Sequence, residues 1–327
     1  MSGPQSSPTI SIDRRKREIE DAHGRWTAHN VRLAEDVYTL APHLSGNELR
    51  ARRMLQVVAD AARAPLEGLR ILDLGCLEGL FALEFALHGA EVVGMEAREG
   101  NIAKARFAQD CLGLRNVTFL QEDVRDLSSE RHGTFDVVLC LGLLYHLDAP
   151  DVFEFLARLS EVTRGFLVLD THIAPAANVR VEHGGVVHAG RRIVEHRTSS
   201  TQDQRLELLW ASLDNPESFW PTRPTLVNDL ARAGFTSVTE ILHPGVPEQP
   251  VDRVEWIAFK GERQHLRSSP LADSLAFSSW PETSTRTRSK QLRWDYRLRF
   301  LLSEAIRALP APVKRVARSV MGRRPRS

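Results

Sequence analysis

Only three cysteines (Cys76, Cys111 and Cys140) occur in 327 residues, too few and too scattered for a disulfide framework or a zinc knuckle. Each lies in an apolar stretch, which predicts buried free thiols in a reducing compartment. No run of about 18 apolar residues occurs, so no transmembrane helix is expected. Met1 to Thr9 is rich in Ser and Pro and has no apolar segment, so no secretory signal is expected there and a cytoplasmic location is. No internal repeat is visible. His183, His188 and His196 follow no metal-ligand spacing, and no metal is expected.

The net charge of +1 hides an asymmetry. Lys290 to Ser327 holds 11 Lys/Arg against 2 Asp/Glu, or +9; the remainder holds 32 against 40, or −8. Trp294, Leu298, Leu301, Leu302, Ala305 and Leu309 fall on one helical face of this basic tail. A basic amphipathic helix over 291–309 suits an anionic membrane face, so peripheral membrane contact is an expectation.

Residues 1–11 read as disordered, followed by a charged helix over Asp13–His23. Glu48–Ala62 has helical periodicity. Strand and helix then alternate. Strands are expected at Arg70–Leu74, Glu91–Met95, Val117–Leu120, Phe135–Leu141 and Phe166–Leu169. Helices are expected at Leu80–His88, Asn101–Leu112 and Val152–Val162. This rhythm predicts right-handed crossovers and a parallel, doubly wound α/β sheet. After Asp170 the rhythm breaks, and 171–222 reads as an inserted substrate lobe. A helix over Thr225–Ala233 follows. Two late strands, Ser237–Leu242 and Arg253–Lys260, flank a turn with Pro244, Pro247 and Pro250, which predicts an antiparallel hairpin at the sheet edge. The expected organisation is a cap or lid over 1–44, a body over 45–262, a linker over 263–289 and the tail over 290–327.

The first strand runs into Asp73-Leu74-Gly75-Cys76-Leu77-Glu78-Gly79, a turn where glycine lets a backbone approach a ligand closely. Glu96 ends the second strand, where a carboxylate can accept both hydroxyls of a ribose. Asp123 ends the third, placed to meet an adenine amino group. A nicotinamide site would show a three-glycine fingerprint, which this turn lacks. Together, Asp73–Gly79, Glu96, Asp123 and Phe135-Asp136-Val137-Val138 resemble the successive motifs of class I S-adenosylmethionine (SAM)-dependent methyltransferases, over roughly residues 45–260. The resemblance implies a Rossmann-like seven-stranded sheet with an antiparallel final hairpin. It implies that Asp73 and Gly75 meet the methionine end of SAM, Glu96 the ribose and Asp123 the adenine, with Cys76, Gly79, Val124 and Leu141 completing the cofactor site. Leu77 stands where the family usually has glycine.

Methyl transfer requires an aligned nucleophile, exclusion of water and, for some acceptors, removal of a proton. The fourth strand leads to Leu144-Tyr145-His146, similar to a segment of enzymes related to the bacterial tRNA wobble-uridine carboxymethyltransferase. His146 is a candidate general base. Asp170 and His172, at the end of the fifth strand, are a second acid/base candidate. Tyr145, Trp220 and Arg223 are candidate acceptor-pocket residues, Arg223 suiting an anionic group. Trp26 is a candidate lid residue over the sulfonium. Opposed to each stands a packing role.

The function expected is methyl transfer to an oxygen or nitrogen of a polar small molecule or glycan. A tRNA-modifying enzyme is the alternative; the acidic body and the lack of an RNA-binding module argue against a nucleic-acid partner as the first reading. A non-catalytic SAM-binding protein is the third class.

Overall fold

The computed structural model describes residues 8–43, 46–243, 251–269 and 271. The expected tail over 290–327, most of the linker, and Pro244, Pro247 and Pro250 lie outside the described residues. The elements in chain order are α1 (Pro8–His23), β1 (Arg32–Ala34), β2 (Val37–Tyr38), α2 (Asn47–Ala62), β3 (Arg70–Leu74), α3 (Leu80–Leu87), β4 (Glu91–Glu96) and α4 (Glu99–Leu112). There follow β5 (Val117–Gln121), α5 (Ser129–His132), β6 (Phe135–Leu141), α6 (Asp151–Val162), β7 (Thr163–His172), β8 (Val179–His183) and β9 (Val186–Val194). The last are α7 (Gln202–Glu207), β10 (Glu217–Pro221), α8 (Arg223–Ala233), β11 (Ser237–Glu240) and β12 (Arg253–Phe259).

Seven strands form one sheet in the order β11-β12-β7-β6-β3-β4-β5. β3 to β7 are parallel; β12 runs antiparallel to β7 and to β11. The expected late hairpin therefore closes one edge of the sheet. Period-two alternation sends successive side chains to opposite faces. Ile71, Val137, Leu139, Phe166 and Val168 join the core beneath α2, α3 and α4. Leu72, Leu74, Val138, Leu167 and Leu169 join the core beneath α6 and α8. Burial on both faces explains why these strands read as unbroken apolar runs. Strand order reverses between β3 and β6, and in such sheets the crevice at the carboxyl ends beside the reversal is where ligands sit.

Three expectations are corrected. Helix α1 begins at Pro8 and so takes in residues expected to be disordered. Ile12 and Ile19, two turns apart, pack on the main core, and Arg15 lies 3.6 Å from Asp110 of α4. Second, the lobe expected over 171–222 runs in regular structure up to the helix: Ser218–Pro221 belong to β10, paired with β9 in a three-stranded antiparallel sheet of order β10-β9-β8. Helix α8 opens at Arg223, two residues before the expected Thr225. Thr222 caps it, accepting from the Thr225 amide at 3.3 Å, and Pro224 sits in its first turn. Third, β7 is longer than expected at both ends, because its polar ends pair inside the sheet with β6 and β12. Among the described residues no helix is long and apolar enough to cross a membrane.

Candidate active site

A cavity of about 530 Å³ opens at the carboxyl ends of β3, β4, β6 and β7, within the usual range for small-molecule sites. Its floor is the turn after β3. Gly75 takes φ +64° and Gly79 φ +87°, both in the left-handed region that glycine tolerates. Leu77 also takes a positive φ, +47°, so the backbone holds a glycine-type conformation at the family's glycine position without a glycine.

Asp73 is 2 % exposed and accepts a hydrogen bond from the Ala82 amide at 3.1 Å. Burial pushes its pKa up to about 7, and Glu96 adds to this, while the Ala82 amide and Arg50 oppose it. Glu96 is also buried. Its two oxygens accept from the Leu77 amide at 3.2 Å and the Arg98 amide at 2.8 Å, and burial raises its pKa despite them. Cys76, Val124 and Leu141 line the cavity as well. Cys76 is 2 % exposed, and burial lifts its thiol pKa well above the usual value, so it is neutral lining.

Gly79 lies outside the cavity. An added Cβ would stand 2.9 Å from Ala105 Cβ and 3.0 Å from the Phe119 ring. The residue there is glycine because α4 and β5 press on the turn. Gly79→Ala, combining overpacking with a left-handed φ, is expected to cost about 2 kcal/mol in urea unfolding; a midpoint unchanged from wild type would refute the steric account.

Asp123 lines the cavity with its carboxylate already engaged. Arg125 Nε donates to both oxygens at 3.1 and 3.0 Å, and Arg125 Nη2 to one at 2.6 Å. Arg125 also reaches Asp214 at 2.8 Å, and the hydrogen bonds it donates to these carboxylates hold its pKa up. An adenine amino group would share Asp123 with that guanidinium.

Several site residues carry no signal in sequence spacing. Arg50 and Arg253 both line the cavity and both bind Asp170, which is 1 % exposed; Arg253 Nε donates to it at 2.7 Å and Nη2 at 3.1 Å. Two guanidiniums hold the one carboxylate of Asp170, which lines the cavity between them. Arg98 donates from its side chain to the carbonyls of Leu206, Leu208, Ala211 and Ser212 at 3.1 to 3.3 Å. Arg98 and Arg125, which follow the two strand-end acids, thus clip the lobe segment 206–214 across the cavity. His146 lines the cavity, with Nδ1 at 3.1 Å from both carboxylate oxygens of Glu195.

The remaining candidates sit elsewhere. His172 and Trp220 do not line the cavity; they stack on each other at 4.5 Å. The Trp220 indole donates to the Tyr145 carbonyl at 2.9 Å, and His172 meets the Tyr145 ring edge-on at 4.8 Å. Both buttress Tyr145, which does line the cavity and whose phenol burial pushes up in pKa. Arg223 pairs with Glu240 at 2.9 Å and lies over the Trp256 ring, away from the cavity. Trp26 is 4 % exposed and packs against Phe107, as a core residue rather than a lid.

The N-terminal cap reaches the site through His29 instead. The Leu80 amide donates to its Nδ1 at 3.1 Å, so that nitrogen carries no proton. Burial drops the His29 pKa to about 4, which keeps the ring neutral in the fold. Among the described residues no cluster of three or more His, Cys, Asp or Glu is arranged to hold a metal.

This geometry has likenesses among known proteins. Residues 71–165 match the family described as "Methyltransferase domain". The ubiquinone biosynthesis O-methyltransferase of Azorhizobium caulinodans (strain ATCC 43989) is 38% identical over 109 residues, which cover 33% of this chain and 42% of that protein. The enzyme of the same description from Acinetobacter baumannii (strain AYE) is 32% identical over 91 residues, 28% of this chain and 38% of that protein. The chain thus spans about two-fifths of the curated relatives it matches. Among solved structures, the N-terminal domain of EvdMO1 with SAH bound superposes with a TM-score of 0.61 at 24% identity, covering 80% of this chain and all of that one. Strand order, the antiparallel β12 and the motif turn agree with these likenesses: the chain has the fold of class I SAM-dependent methyltransferases, and its residues 71–165 match a methyltransferase domain.

Proposed function

We propose that the protein transfers a methyl group from SAM to an oxygen, or a nitrogen, of a polar small molecule or glycan. The observation that carries this is the composition of the cavity. Six carboxylates (Asp73, Glu96, Asp123, Asp170, Asp214 and Glu255) line it against four guanidiniums (Arg50, Arg98, Arg125 and Arg253). An acidic, largely buried chamber suits a cationic sulfonium with a free ammonium. The donor set also fits the rest of SAM: Asp73 for the ammonium, Glu96 for the ribose hydroxyls, and Ala28, Cys76, Val124 and Leu141 as apolar walls. When bound, SAM supplies the electrophilic methyl. The protein supplies alignment and exclusion of water.

The acceptor end is polar. Tyr145, His146 and Arg253 line it, and Tyr145 Oη and Arg253 Nη2 flank the same point above Gly142. That lining supports a hydroxyl-bearing acceptor. Ubiquinone-precursor methylation belongs to the curated relatives by name and is one candidate chemistry.

Calorimetric titration with SAM across pH tests the reading. With a folded-state pKa near 7 against an ordinary 3.8, Asp73 is protonated in the fold where the unfolded chain is ionised. Without ligand this group therefore lowers stability as pH rises from about 4 to 7. The ammonium of SAM prefers the ionised carboxylate, so affinity rises over the same interval. The Kd for SAM is expected to fall about tenfold between pH 6 and pH 8, and Asp73→Asn to abolish that slope. Absence of SAM and SAH binding at any pH would overturn the proposal; binding with no slope would reject the role of Asp73.

A further inference from the structure

We propose that Glu195, supplied by the inserted lobe, is the positioning residue that makes His146 a general base toward an acceptor hydroxyl. The inference rests on the methyltransferase reading and adds a device to it. His146 ends the short helical turn Leu144–His146 after β6. Glu195 follows β9 and is 49 residues away in sequence. Its side chain is 8 % exposed, and both its oxygens lie 3.1 Å from His146 Nδ1.

Burial works to raise the Glu195 pKa, but the hydrogen bond and charge of His146 and the Ser212 amide at 3.0 Å outweigh it, and the net shift is downward. The carboxylate is thus ionised and can only accept. Nδ1 must then be the donor, and in the neutral ring the lone pair is on Nε2. Among the described residues Nε2 makes no hydrogen bond, and the ring borders the cavity. The backbone is gripped as well: Asn215 Nδ2 donates to the His146 carbonyl at 2.9 Å.

The step balances as follows. The acceptor O–H proton passes to His146 Nε2. The freed oxygen pair forms the new O–CH3 bond, and the S–CH3 bond breaks with its electrons going to sulfur, which leaves SAH. The positive charge of the sulfonium ends on the imidazolium, opposite the Glu195 carboxylate, and leaves as a proton to solvent.

Glu195 is also tied to the lobe segment 206–214. Its Oε2 accepts from the Ser212 amide, and Ser212 is one of the residues whose carbonyl Arg98 holds beside Glu96. The base is therefore aligned by the same segment that covers the nucleoside end of the cavity.

Ring-nitrogen NMR on the full chain labelled with 15N-histidine tests this near pH 9, well above the ordinary imidazole pKa of about 6.5. The His146 signals are assigned by their loss in His146→Gln. In wild type, Nδ1 is expected at the protonated end of the shift range and Nε2 at the unprotonated end. Glu195→Ala is expected to move Nε2 toward the protonated end, and Glu195→Gln, whose amide oxygen can still accept, to restore the wild-type pattern. A protonated Nε2 in wild type, or an unchanged tautomer in a folded Glu195→Ala, overturns the proposal. If Glu195→Ala does not fold, the wild-type tautomer decides alone. SAH titrated into the same samples separates the two claims: SAH binding with the wrong tautomer rejects only the dyad, and no SAH binding rejects the methyltransferase reading.

Discussion

Glu78→Ala is expected to lower the unfolding free energy by about 3–5 kcal/mol, because it strands a buried ammonium. Glu78 is fully buried and Lys104, 3.4 Å away, is 3 % exposed. The carboxylate also accepts from the Thr27, Ala28 and His29 amides at 2.8, 3.1 and 3.0 Å and from the Thr27 hydroxyl at 3.2 Å. Without it, Lys104 keeps, among the described residues, the Arg25 carbonyl at 2.8 Å and the Trp26 ring at 5.9 Å. The buried Ala28 and His29 amides and the half-buried Thr27 amide lose their acceptor, and the segment carrying His29 to the cavity loses its anchor. Urea unfolding measures the loss, and a change under about 1 kcal/mol would mean that water replaces the carboxylate. Glu78→Gln combined with Lys104→Met should recover part of the stability, since the cost lies in the unpaired charge rather than in the absence of the pair.

Glu96→Ala is expected to weaken SAM binding about a hundredfold, the loss of two charge-assisted hydrogen bonds of about 1.5 kcal/mol each. The protein itself should tolerate the change better than the Glu78 variant. Burial already raises the Glu96 pKa, so an unfavourable carboxylate desolvation is removed along with the acceptor of the Leu77 and Arg98 amides. Calorimetry with SAM reads the effect, and a Kd within threefold of wild type would place the ribose elsewhere.

The sheet was legible because its strands are buried on both faces. Arg70–Leu74 and Phe135–Leu141 match their expected bounds to the residue. The lobe was not legible. β9 reads Val-Val-His-Ala-Gly-Arg-Arg-Ile-Val, with His188, Ala189 and Gly190 buried in succession, so no period-two pattern marks it. The same physics divides the site. Asp73 and Glu96 are recognisable because each ends a strand in a fixed local motif. Arg50 meets Asp170 across 120 residues and Glu195 meets His146 across 49, and no spacing rule encodes either meeting. His172, Trp220 and Arg223 are in the right segments, but stacking and ion pairing turn them away from the cavity. A residue's chemistry is visible in its type, whereas the direction in which it faces is settled by packing.

The lobe between β7 and α8 also sets how far kinship can inform chemistry. The family match ends at residue 165, before Asp170 and before every lobe residue that borders the cavity. The match takes in Asp73, Glu96 and Asp123 and leaves the lobe outside it. A lobe moved between relatives would need, in the recipient, partners for the contacts that Arg98, Arg125 and His146 make here. Tyr145 and His146 belong to the body as well, and their carbonyls accept from Trp220 and Asn215, so lobe and body are fastened at several points.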